Sequence, residues 1–399
     1  MLNIKPIVSS LLRSKSGPIL LLMQIILSVA IVANASFIIN ERLTMMQRDS
    51  GIAEQEILTF AIYNFDPSID ATLQNKVDQR ILRSLPNVKA AASTNMLPLS
   101  GSGWSTTLNL GPDPETAKST PQVAMYMGTE HTLETFGVTL VEGRNFYADE
   151  ITDDVNSPNI LLLITKALAD EVWPNESAVG KTLWAGRDVQ VTVIGVVDKM
   201  QGAWVDSSDL EYSIIQNVDY SGNSYMVRAE PKHHEALQQQ ILDALMTENP
   251  NRVIDNFQSI AVVKENSYRD HELMVTVLSM MVVLLLLITS LGLTGMVMFN
   301  IQRRTKQIGT RRALGATKGD ILSLFLTENY IICIVGGLIG GVLAVLLGQQ
   351  LMQHYDLPQL NLIYPVLTVV GMLLVTTVAV ILPARKAANI SPAMATRSV

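Results

Sequence analysis

Cysteine is almost missing from this 399-residue chain: Cys333 is the only one, and it lies inside an apolar run. That excludes a disulfide framework and any cysteine-built metal site. Charge is scarce as well, at 16% Asp, Glu, Lys and Arg, against about a quarter in ordinary soluble domains. Five histidines are scattered, and His233-His234-Glu235 is their only local cluster. Adjacent helical residues diverge, so that cluster reads as a solvated helix start rather than a metal site. A complete phosphate loop is lacking too. Asn175-Glu-Ser-Ala-Val-Gly180-Lys181-Thr182 has its tail, but Asn175 stands where GxxxxGK[ST] needs glycine. No nucleophile elbow surrounds the serines near Gly101 and Gly103, no SxxK pair is present, and Asp153-Asp154 reads as a polar loop. Nothing here reads as an active site.

Long uncharged runs take the place of those features. Residues 16–40, 273–302, 329–355 and 357–384 each exceed the roughly 20 apolar residues that cross a hydrocarbon core. Polar ends (His354, Gln359, Asn361) shorten the last two. The expected fold is a membrane protein of four transmembrane α-helices, with a large α+β periplasmic domain inserted between helices 1 and 2. The spans are placed at 17–40, 273–302, 321–348 (with a cytosolic lead-in) and 365–383. The outer domain then covers 41–272 and a short loop 349–364. Residues 1–16, 303–320 and 384–399 are cytosolic.

Charge supplies this orientation. Segments 1–15, 303–320 and 385–399 hold twelve Lys and Arg and one acid, Asp320, whereas 41–272 holds 17 basic and 33 acidic residues. Basic loops stay inside. Lys5, Arg13, Lys15 and Ala33-Asn34-Ala35 imitate a cleaved signal peptide. The apolar run nevertheless continues through Phe37-Ile38-Ile39, so an uncleaved anchor is expected.

Within 41–272, strands are expected at 56–63, 88–92, 122–127, 159–165, 189–197, 212–216, 224–229 and 259–263, and helices at 68–85, 166–172 and 233–248. Ile69, Leu73, Val77, Ile81 and Leu85 share a face of the first helix. The two ends thus read strand-helix-strand, with a β-rich insertion at about 131–210 between them. Residues 41–54 and 262–272 look like helical continuations of the first two spans, forming a stalk. All four tryptophans (Trp104, Trp173, Trp184, Trp204) fall in this domain, as packing or as a binding surface.

Between the second and third runs, Arg303, Arg304, Lys306, Arg311, Arg312 and Lys318 crowd one short helical segment. Gly315 is expected to end that helix, and Thr317-Lys-Gly-Asp320 is a capping-box pattern that starts the next. Lys and Arg beside anionic lipid would by themselves only report topology. Glu328, near the membrane edge, needs a partner, and the basic segment offers one. Gly336, Gly337, Gly340 and Gly341 set two GxxxG registers on the third span, suited to close helix contact within one chain or between two.

The segment from Arg303 through Gly309 to Gly315, the run with Glu328 and Gly336–Gly341, and the tail with Pro383, Ala388, Pro392, Ala395 and Arg397 closely resemble the FtsX-like permease domain of MacB-type ABC transporters. Val141-Glu-Gly-Arg144, Val179-Gly-Lys-Thr-Leu183 and Val191–Val197 are similar to that family's periplasmic domain. The resemblance covers essentially the whole chain. It implies an inner-membrane, non-catalytic permease whose basic segment, with Gly309 and Gly315, docks on an ABC ATPase. It also implies a second permease subunit, in a homo- or heterodimer. A fused ATPase domain is not part of the pattern here, so the ATPase is expected in a partner chain that carries the ATP and Mg; no cofactor or metal is expected on this chain. A periplasmic adaptor and an outer-membrane channel are further possible partners, and nucleic acid is not one. The implied function is efflux or extraction of a periplasmic substrate such as an antibiotic, peptide or lipoprotein. The alternative is transenvelope signalling of the FtsX type, regulating a hydrolase or sensor.

Overall fold

The computed structural model describes residues 16–155, 157–187, 189–354 and 358–389. The expectations about Lys5, Arg13, Lys15, Pro392, Ala395 and Arg397 fall outside these residues. The chain forms two units: a helical one, up to Gln47 and from Asp270 on, and an α+β one, Arg48–Arg269.

The helical unit contains α1 (Ser16–Met46), α7 (Arg269–Arg303), α8 (Thr305–Ala313), α9 (Lys318–His354) and α10 (Ile363–Ala388). Four stretches are long and apolar enough to cross a membrane: Gly17–Met46, Arg269–Arg303, Lys318–Met352 and Ile363–Ala388. Leu21, Ile25, Val29, Leu293, Cys333 and Met372 form a core shared by the four. The apolar runs hide polar clasps between helices. Ser28 Oγ and Thr289 Oγ1 are 2.8 Å apart between α1 and α7, and Asn34 Nδ2 donates to Ala344 O at 3.0 Å between α1 and α9. Tyr330 Oη lies 2.7 Å from Thr377 Oγ1 between α9 and α10. Such bonds bind helices where lipid offers no hydrophobic drive. The α7 helix is the least covered of the four, with Leu273, Val277, Met280, Leu284, Leu287 and Leu291 all exposed.

The α+β unit is two sheets, one threaded into the other. The first has four strands in the order β11-β1-β10-β2, all antiparallel: β1 (Ile57–Asn64), β2 (Val88–Thr94), β10 (Ser224–Ala229) and β11 (Arg252–Ser259). Helix α2 (Ala71–Ser84) joins β1 to β2, and α5 (His234–Glu248) joins β10 to β11. This is the split βαβ arrangement of a ferredoxin-like fold. Leu58, Phe60 and Ile62 of β1 meet Leu82 of α2 and Leu237, Ile241 and Leu245 of α5.

Everything from 95 to 223 is an insertion between β2 and β10. Its seven-stranded mixed sheet has the order β3-β4-β9-β6-β8-β5, with β7 on β8. The strands are β3 (Ser105–Thr106), β4 (Val123–Met127), β5 (Leu140–Gly143), β6 (Ile160–Thr165), β7 (Thr182–Ala185), β8 (Val189–Val197) and β9 (Ser213–Gln216), with short helices α3 (Thr132–Phe136) and α4 (Lys166–Val172). The insertion starts well before residue 131 because β4 pairs in parallel with β9, not with the first sheet. Leu162, Ile164, Val191, Val193 and Ile214 fill one apolar layer of this sheet. A second layer (Tyr126, Phe136, Leu163, Ile215) also takes in Ile57 and Met226 of the first sheet and so joins the two lobes.

Three further expectations need correction. The face of α2 that is buried is Asn75, Asp78, Gln79 and Leu82, while Leu73 is 62% exposed. Polar partners inside draw Asn75, Asp78 and Gln79 inward, while Ile81 and Leu85 of the expected apolar face still pack against the core. The strand expected at 259–263 is one element too late: β11 ends at Ser259, whose hydroxyl caps α6 (Ile260–Ser267) by accepting from Val262 N at 3.3 Å. Finally, the helical continuations are short. The α1 helix stops at Met46 and Tyr268 interrupts the path from α6 to α7. Residues 48–54 instead meet α6 through Lys264, which donates to Glu54 Oε1 at 2.7 Å and to Arg48 O at 3.1 Å.

Candidate coupling site

Helix α8 connects α7 to α9 and gathers the basic residues. Its inner side is apolar: Ile308 and Gly309 are buried, and Ile308 packs with Val297, Ile321, Phe325, Val380 and Ala384 from α7, α9 and α10. Burial of those side chains holds α8 against three neighbours; each fully buried Ile or Phe contributes about 1.5–3 kcal/mol.

The cations divide by role. Arg304 precedes α8 and reaches Glu328 of α9, Nη1 to Oε1 2.8 Å, with the Glu328 side chain only 6% exposed. This meets the need of a carboxylate placed within an apolar helix. Arg303 lies over the Phe299 ring at 5.3 Å. Arg312 turns back, its Nη1 donating to Ala316 O at 2.7 Å. Lys306, Arg311 and Lys318 are exposed.

The end of α8 is built by backbone bonds. Gly315 N donates to Arg312 O at 3.2 Å and Ala316 N to Arg311 O at 3.0 Å, the paired bonds of a Schellman motif. Gly315 sits at φ +98°, in the left-handed region, and a Cβ there would meet nothing within 4 Å. Backbone conformation alone therefore requires the glycine. Thr317 then opens α9. Its N–H and hydroxyl give to Asp320 Oδ2 at 2.8 and 2.7 Å, and Asp320 N gives to Thr317 Oγ1 at 3.2 Å. Between the two caps Leu314 stands 83% exposed. Sequence reasoning overlooked it, because one leucine at a helix end carries no periodicity.

The glycines of α9 serve contacts inside the chain. A Cβ on Gly340 would come 2.7 Å from Ile26 O, and one on Gly336 2.9 Å from Ile25 Cγ2, so this register faces α1. The other register faces α10: Gly337 would meet Val369 at 3.0 Å and Gly341 would meet Pro365 at 3.8 Å.

Elsewhere the sequence motifs resolve into ordinary structure. Asn175 adopts φ 66° and Gly180 φ 82° in a turn where Lys181 pairs with Glu176 at 2.7 Å. His234 Nε2 lies 3.2 Å from the carbonyls of Glu56 and Ala229. Trp104 packs edge-on against Tyr220, while Trp173 and Trp204 are partly buried against the two apolar layers.

Comparison with known proteins accounts for both units. Residues 19–244 match the model of the MacB-like periplasmic core domain, and residues 279–392 match the FtsX-like permease C-terminal model. The macrolide export ATP-binding/permease protein MacB of Mannheimia succiniciproducens is 24% identical over 267 residues, covering 64% of this chain and 40% of that protein. Its namesake from Chromobacterium violaceum is 27% identical over 269 residues, with the same two coverages. The chain therefore spans about two fifths of the length of these relatives. Among solved structures, the periplasmic region of MacB from Actinobacillus actinomycetemcomitans aligns over 56% of this chain and 97% of its own, at TM-score 0.35 and 16% identity. With one family model covering more than half of the residues and the second covering most of the remainder, the chain belongs to the MacB-like, FtsX-type family of ABC transporter permeases.

Proposed function

We propose that this chain is the permease subunit of a MacB-type ABC transporter in the bacterial inner membrane. In this reading α8, both termini and the α9 cap are cytosolic, and Arg48–Arg269 is periplasmic. The observation that carries it is the geometry of α8: an exposed Leu314 among Arg311, Arg312 and Lys318, on a helix stopped by one motif and followed at once by another. An apolar tip ringed by cations suits a pocket with an acidic rim on a cytosolic ATPase. The ABC ATPase that it works with binds the ATP and Mg. A push on α8 passes to α7, α9 and α10 through Ile308, Phe325 and the Arg304–Glu328 pair. A second permease subunit completes the assembly, and the uncovered α7 leaves apolar surface for it or for lipid. The work done is efflux or extraction of a periplasmic substrate.

The test is co-purification with an ABC ATPase co-expressed with this chain. Arg311→Glu and Leu314→Asp, both on exposed positions, are expected to lower recovery of the ATPase and its stimulated turnover at least tenfold. Lys181→Glu, in the other unit, is expected to leave both unchanged. Normal binding and stimulation by both α8 variants would overturn the docking assignment. Labelling of Thr310→Cys in intact cells by a membrane-impermeant thiol reagent would overturn the orientation.

A further inference from the structure

One side of α2 carries an unusual set of side chains. Lys76, Gln79, Arg80 and Arg83 lie three and four residues apart and line a cavity of about 240 Å³ against the inserted lobe. The floor of the cavity is Asp219, 6% exposed. Its Oδ1 accepts from Asn75 Nδ2 at 2.8 Å and Gln79 Nε2 at 2.9 Å, with Ser93 Oγ at 3.4 Å. No donor among the described residues reaches Oδ2, and no Lys or Arg comes within ion-pair distance of this carboxylate. Lys76 is engaged elsewhere, 2.8 Å from Asp153.

Arg80 and Arg83 on the wall form no ion pair among the described residues, although Glu130 lines the same cavity and its charge acts on Arg83. Arg83 is half-buried, and its Nη1 donates only to neutral oxygens, Ala91 O at 3.2 Å and Gln79 Oε1 at 3.4 Å. Arg80 is exposed and forms no ion pair among the described residues. Burial pushes the Asp219 carboxyl up and the Arg83 guanidinium down from their ordinary values. A fold seldom buries opposite charges near one another without pairing them, because each then bears its desolvation cost alone. Held apart across a cavity, they present complementary ends to a ligand. The volume lies below the range typical for drug-sized ligands, so the occupant is small.

We propose that this cavity binds a small zwitterion of free amino-acid type, its ammonium on Asp219 Oδ2 and its carboxylate between Arg80 and Arg83. The site requires neither the ATPase nor transport, so it stands or falls independently of the function proposed above. Titration calorimetry on the full-length protein in detergent tests it, with L-alanine and L-glutamine as probes beside N-acetyl-L-alanine and L-alanine amide. Saturable binding of at least one zwitterion is expected, weakened tenfold or more when either end is blocked. Arg80→Gln, on an exposed position, and Asp219→Asn, which keeps an oxygen for Asn75 and Gln79, are each expected to weaken the zwitterion tenfold or more. L-Alanine amide should respond to Asp219→Asn but not to Arg80→Gln. Failure of both zwitterions to bind at millimolar concentration overturns the proposal. So does equal binding of the blocked forms, or undiminished affinity in the variants.

Discussion

Removing one partner of the Asp78–Arg252 pair should cost more than any other single change in the α+β unit. Both side chains are 0% exposed. Arg252 Nη1 reaches both carboxylate oxygens at 2.8 Å, its Nε gives to Asn249 O at 2.9 Å, and Gln74 gives to Asp78 Oδ1 at 3.0 Å. The pair ties α2 to the start of β11, an edge strand of the first sheet. Asp78→Ala leaves a guanidinium buried with no counter-charge, and breaking such a pair costs about 3–5 kcal/mol. In a unit of this size, each kcal/mol shifts the midpoint by about 2–4 °C, so a loss of about 6–20 °C is expected. Tryptophan fluorescence is the assay, since Trp104, Trp173, Trp184 and Trp204 all lie within Arg48–Arg269 and report that unit alone. The pair's net worth is a different quantity. Arg252 Nη2 is buried without a partner, so the cation is incompletely satisfied even in place. Asp78→Leu combined with Arg252→Met should accordingly recover most of the loss. The reasoning is refuted if Asp78→Ala shifts the midpoint by less than about 2 °C, the effect of under 1 kcal/mol, or if the double variant is no better than the single one.

Other substitutions probe the helices and the cavity. Gly340→Ala drives a methyl to within 2.7 Å of Ile26 O and should lower the midpoint of the helical unit, measured by circular dichroism in detergent, whereas Gly341→Ala, with 3.8 Å of room, should leave it unchanged. Gly315→Ala meets no atom yet must adopt φ +98°, a cost of about 1–2 kcal/mol. It should hasten tryptic cleavage at Arg311 and Arg312, and an unchanged cleavage rate would show that the Schellman turn is not under strain. Asp219 has a raised folded-state pKa, so its ionised form weakens the fold at neutral pH, and the penalty is relieved as pH falls through that value. Asp219→Asn should therefore raise the midpoint at pH 7, with the gain vanishing on acidification. Glu150, held below its ordinary value by Arg144 at 2.7 Å, works in the opposite sense: its support is present above the unfolded pKa and is lost as pH falls through the folded one. Glu150→Gln should flatten that acid limb.

The parts legible in the sequence are those decided over a few residues. Apolar runs located the spanning helices, and the Gly315 stop and the Thr317–Asp320 cap are local chemistry. The expectation that a partner for Glu328 lay in the basic segment needed only the cost of a carboxylate among apolar side chains. Long-range pairing was not legible. That β4 belongs beside β9 depends on a contact across some ninety residues, and this moved the start of the insertion. Helix α2 was legible only in part: Ile81 and Leu85 pack inward as expected. Its apolar stripe pointed to Leu73, but the interior it faces holds Arg252 on one side and Asp219 on the other, so Asn75, Asp78 and Gln79 go inward. Periodicity assumes an apolar interior and has no means of sensing a charged one.

The point where the insertion leaves and rejoins the first sheet has a consequence for descent. Thr94 and Ser224 are paired across β2 and β10, so some 130 residues depart from and return to neighbouring positions of one ladder. Replacing that lobe by a shorter or longer one need not disturb the strand order of its host. The toll falls on the shared apolar layer, where Ile57 and Met226 must find new neighbours. Lineages of such chains can thus diversify one lobe while inheriting the other nearly intact, and differences in length among them should concentrate between these two residues.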